Sequence, residues 1–371
     1  MLKSSKGTGY KALARKTKVR ICSPEEIVAQ TPCGGGAYVA VDVRSCLFRY
    51  VREMSRIRNT KRKVRCVFGL LLQGTGSEIK MVCNEALEKM MAEVYIIGAD
   101  KVKYVLCSPK RCPYRERLRL SDRILEKAKA EERLKKALSK CKKHILEVSV
   151  MIECHDAFVG YVIAHIEEAC LIYNSIILGK ETVMLDHDHD HDHDHDHDHD
   201  HDHEDSYESD RLCARMPDHE YKYDRLCARI SKTAQGRSGC GVVMPDKEDS
   251  YESDRLCARI SKTAQGMSGC GVVLSEDYDC TFLFGAEKMI KKVTKHAVHY
   301  VTIKDAMIVF GCNDRKSLAY KCCLMGTDYN LGLRGIGQKR AAATNNSHVL
   351  AEECMRQQCI DMRELMKFFL I

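Results

Sequence analysis

Val272-Val-Leu-Ser-Glu-Asp-Tyr-Asp-Cys280 decides how this chain is read. Three apolar residues run without polar alternation into Ser275, and Asp277 and Asp279 follow at once. A short continuous apolar run marks a strand buried on both faces, so a strand is expected over 269–274 with acids just past its end. Ala37-Tyr-Val-Ala-Val-Asp42 has the same design, a strand over 38–43 that carries Asp42. Lys101–Leu106 reads as another. Glu252 and Asp254 lie in Tyr251-Glu-Ser-Asp-Arg-Leu-Cys-Ala258. Asp328 lies in Met325-Gly-Thr-Asp-Tyr329, before Gly335-Ile-Gly-Gln-Lys-Arg-Ala341. Carboxylates gathered at strand ends repel one another unless divalent cations neutralise them. A Gly-x-Gly turn followed by Lys-Arg fits a phosphate backbone, because glycines let main-chain N–H groups approach closely.

In this order the segments resemble the 5′-nuclease superfamily of flap endonucleases and XPG-type nucleases. The motifs that carry the resemblance are Ala40-Val-Asp42, Glu252-x-Asp254-x-x-Cys-Ala, Ser275-Glu-Asp-Tyr-Asp-Cys280, and Gly326-Thr-Asp-Tyr with Gly335-Ile-Gly-x-Lys-Arg-Ala341. They cover 7–186 and 249–345. Gly7-Thr-Gly-Tyr-Lys-Ala-Leu13 is similar to the family's N-terminal glycine segment, with shorter glycine spacing.

The resemblance implies an α/β fold, with a largely parallel central sheet, helices on both faces, a helical arch and a helix-hairpin-helix element. It implies a structure-specific 5′-nuclease, cutting DNA as a flap endonuclease or 5′-3′ exonuclease at single-to-double strand junctions in replication, repair or recombination. Two Mg²⁺ ions are expected, with Mn²⁺ able to substitute. One would be held by Asp42, Glu252 and Asp254, the other by Asp277, Asp279 and Asp328. Gly7, Gly335, Gly337, Lys339 and Arg340 would contact DNA, and the Gly335–Gly337 turn would hold K⁺ through main-chain carbonyls. Two arch cations steer the scissile phosphate in the family. Arg123 matches the second; two turns earlier stands Glu116, a departure, so neighbouring Arg115 is the candidate for the first.

A second departure is sharper. The family's second strand ends in a metal-binding aspartate, and here Tyr104-Val-Leu-Cys-Ser108 puts Cys107 there. The alternative match, Val67-Phe68-Gly69, has no acid at all. A thiol is soft and largely protonated near neutral pH, so it is a poor Mg²⁺ ligand. Two rival functions follow: a catalytically impaired junction-binding protein of the same family, and an RNA nuclease of related fold.

The chain has 371 residues, a formal net charge of +8, 21 Cys, no Trp and 6% aromatics. No uninterrupted apolar run approaches the ~18–20 residues of a membrane span. The cysteines read as reduced thiols of an intracellular protein without paired CxxC motifs. Localisation is expected in the nucleus, or at a cytoplasmic replication site if the genome is viral, and a monomer is expected. Asp186–His203 alternates Asp and His, and its nine Asp hide a net +17 on the remainder. A basic body around a compact acidic site fits a polyanion. Few aromatics favour backbone contact over base stacking.

The long charged segment 115–146 is free of Pro and Gly, carries Leu and Ile at helical spacing, and by the resemblance reads as the arch. Asp205-Ser-Tyr-Glu-Ser-Asp-Arg-Leu-Cys-Ala-Arg215 recurs unchanged at 249–259, and 224–243 matches 254–273 with Arg237 against Met267. Only the last copy keeps every acid. The middle copy has Lys222 and Lys247 where Glu252 and Asp277 stand, and a cation there would disable the site. The segment 186–248 therefore reads as an excursion from the core, with adventitious metal affinity in its imidazoles at most. Residues 348–370 read as one amphipathic helix. Within it, Met362-Arg-Glu-Leu-Met-Lys-Phe-Phe369 resembles a sliding-clamp motif with Met362 in place of Gln, against a plain packed helix.

If Cys107 ends a strand facing the metals, Cys107→Asp restores a hard oxygen ligand. Cleavage at low millimolar Mg²⁺ should then rise, and any advantage of Mn²⁺ should shrink. An unchanged Mg²⁺ requirement and rate would contradict this strand alignment or the impairment of the site.

Overall fold

The computed structural model describes residues 9–29, 38–56, 59–99, 101–106, 120–145, 147–185, 241–243, 252–266 and 271–370. Gly7, Cys107, Arg115 and the Asp-His tract lie outside the described residues.

Among the described residues seven strands form one sheet: β1 Arg20–Cys22, β2 Tyr38–Asp42, β3 Lys101–Val105, β4 Gly241–Val243, β5 Gly271–Leu274, β6 Lys288–Val293 and β7 Val298–Thr302. Their order is β1-β7-β6-β5-β2-β3-β4. The five from β4 to β6 are parallel, while β7 runs antiparallel to β6 and β1 antiparallel to β7. In the register Asp42 lies beside Val105 and Val41 beside Leu274. The acids that follow β5 therefore emerge next to the acid that ends β2. This is the carboxyl edge of the parallel strands, where open α/β sheets place their sites.

Both faces of the sheet are covered, as the unalternating runs require. Side chains alternate across a strand. Val39, Val41, Val272 and Leu274 enter one core; Ala40, Val273, Met289 and Val301 enter the other. The first core is roofed by α2 Pro24–Ala29, α3 Val43–Arg56, α4 Thr60–Leu72, α5 Thr75–Ile97, α6 Leu120–Lys143, α7 Val148–Ala164 and α8 Ile166–Leu185. The second holds α1 Lys11–Ala14, α9 Ser253–Gly266, α10 Asp279–Phe282, α11 Ile303–Phe310, α12 Arg315–Met325, α13 Gln338–Ala343, α14 Ser347–Arg356 and α15 Met362–Phe369. No single helix among the described residues is long and apolar enough to cross a membrane.

Several expectations need correction. Val67-Phe68-Gly69 lies inside α4, so the strand match that lacked the acid is excluded and β3 is the strand before Cys107. The stretch 348–370 is two helices, not one. Cys359 adopts the left-handed conformation at φ 54°, and Asp361 caps α15 by accepting from Arg363 N at 2.8 Å and Glu364 N at 3.4 Å. Met362, Leu365, Met366, Phe368 and Phe369 are buried, with Phe368 edge-on to Phe284 at 5.6 Å and Phe369 edge-on to Tyr329 at 5.4 Å. The sliding-clamp reading fails on this ground, because the side chains such a motif presents are spent in the core. The span 186–248 is not wholly an excursion, since Gly241–Val243 pairs with β3 as an edge strand. On α6 the buried face is Leu134, Ala137 and Cys141, while Ile124 and Leu125 are exposed. The cysteines among the described residues are free thiols.

Gly271 opens β5 where α9 crosses it. A Cβ there would lie 2.4 Å from the Ser261 Cα, a backbone atom that cannot step aside. Gly271→Ala should cost about 1–3 kcal/mol, as overpacking of a tight core does. An unchanged melting temperature would mean that the strand and helix do not approach this closely.

Candidate metal centre

Asp42 ends β2 almost fully buried, and the chain supplies it with neutral donors. Ser275 Oγ donates to Oδ2 at 3.0 Å, while Ser253 Oγ and the Ser45 N–H donate to Oδ1, each at 3.2 Å. Ser253 opens α9, so the same hydrogen bond brings Asp254, one residue on, to the sheet edge. The turn after β5 is folded by its own polar groups. Ser275 Oγ accepts from Asp277 N at 3.0 Å, and Asp277 Oδ1 accepts from Asp279 N at 3.2 Å. Both side chains of this turn are thereby aimed at α9.

Four of the six predicted acids meet here. Carboxylate oxygens of Asp254, Asp277 and Asp279 lie within 4.8 Å of one another, and a second group joins Asp42, Asp254 and the Cys280 sulfur. Glu252 is buried beside this cluster, close enough for its charge to act on Asp254. Asp328 joins from the loop after α12, through a shared partner. Lys11 Nζ lies 3.0 Å from Asp277, 3.1 Å from Asp279 and 3.4 Å from Asp328. Gly326 starts that loop at φ 93°, and Asn330 pins it by donating to Cys323 O at 2.8 Å.

The electrostatics follow from burial. Asp254 is held well above the usual carboxylate range, first by desolvation and then by the charges of Asp42 and Asp277. Asp279 is raised likewise, by burial and then by Asp328. Burial also pushes the Cys280 thiol up, so it stays protonated and donates toward Asp254 Oδ1 at 3.5 Å. Lys291, over the Tyr278 ring at 4.0 Å, is lowered to about 8 by burial.

These residues fit a small hard cation. The donor set is carboxylate oxygen, and Asp279 Oδ2 is buried with no hydrogen-bond partner among the described residues. The protonated thiol does not make the site a zinc site, which wants thiolate or imidazole.

The cluster opens into a cleft of about 570 Å³ whose walls carry Lys11, Arg15, Arg44, Arg52, Arg123 and Lys291. Arg123 reaches this cleft from α6, tied to Glu167 at 3.0 Å. A second cleft of about 590 Å³ runs between α6 and α7 and shares Arg44, Arg123 and Ile166 with the first. Lys127 ties α6 to Glu168 at 2.5 Å, so the helix is held over the start of α8.

The Gly335–Gly337 turn stands between α12 and α13, and Lys339 and Arg340 lie at the start of α13. Gly335 is left-handed at φ 85°, and Gly337, Lys339 and Arg340 are exposed. Arg340 Nη1 donates to Gly335 O at 3.1 Å, which gives that carbonyl a guanidinium partner. Lys321 braces the element from inside, donating to Phe310 O, Gly311 O and Ala342 O.

Sequence reasoning missed Lys11, Tyr10, the three serines around Asp42, and the wall residues Arg44, Arg52 and Lys291. Lys11 stood in the N-terminal glycine segment, and Ser275 inside a quoted motif. Nothing in their spacing told which side chains face the acids.

The chain matches no protein-family model and no curated protein. Among solved structures it is similar to flap endonuclease-1 from Methanococcus jannaschii, at 16% identity over 96% of this chain and 83% of that one, with a TM-score of 0.41. It is also similar to the catalytic core of Rad2 in complex with DNA substrate, at 12% identity over 99% of this chain and 85% of that one, TM-score 0.37. A further complex of the Rad2 core aligns at 11% identity over 98% of this chain and 86% of that one, TM-score 0.37. At these identities and scores, what the site does has to be read from its own residues.

The raised carboxyls make stability depend on pH. Their folded pKa exceeds the unfolded value, so folding takes up protons, and this stability is lost as pH rises through the raised value. In chelator, melting temperature should fall as pH rises above the ordinary carboxylate range, and a divalent ion added at the higher pH should restore it. Asp254→Asn should flatten the slope. A melting temperature that climbs with pH in chelator, with the variant unchanged, would contradict the burial of these acids.

Proposed function

We propose that this chain is a metal-dependent nuclease that cuts DNA at single-to-double strand junctions. One observation carries the reading: acids from four separated segments converge at the carboxyl edge of a parallel sheet, beneath a cleft walled by Lys and Arg. A hard dication bound there would activate water and neutralise charge on the leaving oxygen of a phosphodiester. Mg²⁺ is the ion we assign, since it prefers oxygen ligands.

The chain's own residues do the rest. Asp254, Asp277 and Asp279 would hold the ion, with Asp42 and Glu252 supplying the surrounding negative charge. Serines fix Asp42, so its oxygens need not reorganise as charge develops. Arg44, Arg52 and Arg123 draw the phosphate backbone to the acids, which would otherwise repel it. Arg115 would add to them from the approach to α6. The Gly335–Gly337 turn and the Lys339 and Arg340 that follow it, as a helix-hairpin-helix, would grip duplex phosphates at one side, with K⁺ at the turn's carbonyls. Asp328 lies on the segment leading to that turn, so duplex binding would register the junction on the acids.

A second reading, junction binding with little cleavage, is favoured by Cys107 in place of an acid and by Lys11 among the acids. A flap-cleavage assay separates the two. Asp277→Ala or Asp279→Ala should lower cleavage by about 100-fold or more while flap affinity stays within a few-fold, because these acids act on the transition state. Replacing both Lys339 and Arg340 with Ala should instead weaken binding and reduce the slope of log affinity against log salt by about two phosphate contacts. The reverse pattern would mean the two roles are exchanged. No cleavage by the parent protein in Mg²⁺ or Mn²⁺, with flap binding retained, would establish the second reading.

A further inference from the structure

The acids Asp277, Asp279 and Asp328 already have a cation of their own. Lys11 Nζ sits 3.0, 3.1 and 3.4 Å from one oxygen of each. An ammonium has donors and no acceptor; here it donates to Asp277 and Asp328, and its charge pairs with Asp279 as well. It is also a compact point charge, the nearest a side chain comes to a small metal ion.

Its seat is built by packing and not by chance reach. A Cβ on Gly9 would lie 2.1 Å from Gly326 O, so only glycine lets the N-terminal segment press against the loop that carries Asp328. Tyr10 N donates to that same oxygen at 3.4 Å. The Tyr10 ring is fully buried against Phe282 at 6.1 Å, and its hydroxyl donates to Asp279. The segment that carries Lys11 is therefore bonded to one of the acids it bridges and to the loop that carries another. Asp42, by contrast, accepts from serine hydroxyls and a backbone N–H, all neutral donors.

We propose that Lys11 holds the second cation position, so that the chain takes up one divalent ion, at Asp254, Asp277 and Asp279, where its acids would otherwise take two. This rests on reading the acidic cluster as a divalent-cation site. A second dication would have to displace the ammonium from three carboxylates while Tyr10 keeps its stem beside them, leaving two like charges close together.

The test counts Mn²⁺ bound per full-length chain by equilibrium dialysis, in the parent protein, Lys11→Met and Lys11→Ala. Electron paramagnetic resonance of the bound ion reports whether it has a close neighbour, and thermal unfolding reports whether each variant is folded. One ion without spin coupling is expected in the parent, and two coupled ions in the variants. Two coupled ions in the parent, or one ion in a folded Lys11→Met, overturns the proposal and leaves the cation-site reading standing. No bound Mn²⁺ in any of the three overturns the cation-site reading, and the proposal with it. Should both variants unfold, the parent's count alone still decides between one ion and two.

Discussion

Carboxylates forced together out of water repel each other, and the arrangement around them answers that repulsion. Asp42, Asp254 and Asp279 are buried, and burial holds the carboxyls of Asp254 and Asp279 above their ordinary range. Such a cluster is stable only when protons or cations neutralise it. The chain supplies serine donors to Asp42, a lysine to Asp277, Asp279 and Asp328, and a ring of basic residues at the cleft wall. What is left over is a hard oxygen site, with Asp279 Oδ2 buried and without a hydrogen-bond partner among the described residues.

The fold makes this crowding possible by fixing where strands end. Val41 pairs with Leu274, so β2 and β5 deliver their acids to one edge, and a one-residue slip would turn every core valine outward. Close approaches at glycine complete the assembly. Gly271 lets α9 bring Asp254 down onto β5, and Gly9 lets the N-terminal segment lock onto the Asp328 loop. In each case a missing side chain turns a distant stretch of sequence into a wall of the site.

What could be read in the sequence is what short-range pattern specifies. Unalternating runs announced buried strands, read as 38–43 and 269–274 and found at Tyr38–Asp42 and Gly271–Leu274, and acids beside their ends announced a charged edge. The strands β1 and β6 were not legible, since Ile21 is exposed and Lys288, Lys291 and Lys292 interrupt an apolar pattern that only the neighbouring β7 completes. The break between α14 and α15 was missed because a left-handed Cys359 carries no sequence signal of the kind glycine gives. Met362–Phe369 has the spacing of a recognition motif, yet burial against Phe284 and Tyr329 decides its role, and burial is a tertiary fact. Lys11 escaped notice for the same reason: its partners lie more than 260 positions away.

The central claim is that Asp254, Asp277 and Asp279 exist to hold a divalent ion. Anomalous scattering from crystals of the full chain grown with Mn²⁺ tests it most directly. The account predicts one strong peak bounded by these three carboxylates. Manganese density confined to the Asp-His tract, or no density among the three acids, would contradict it.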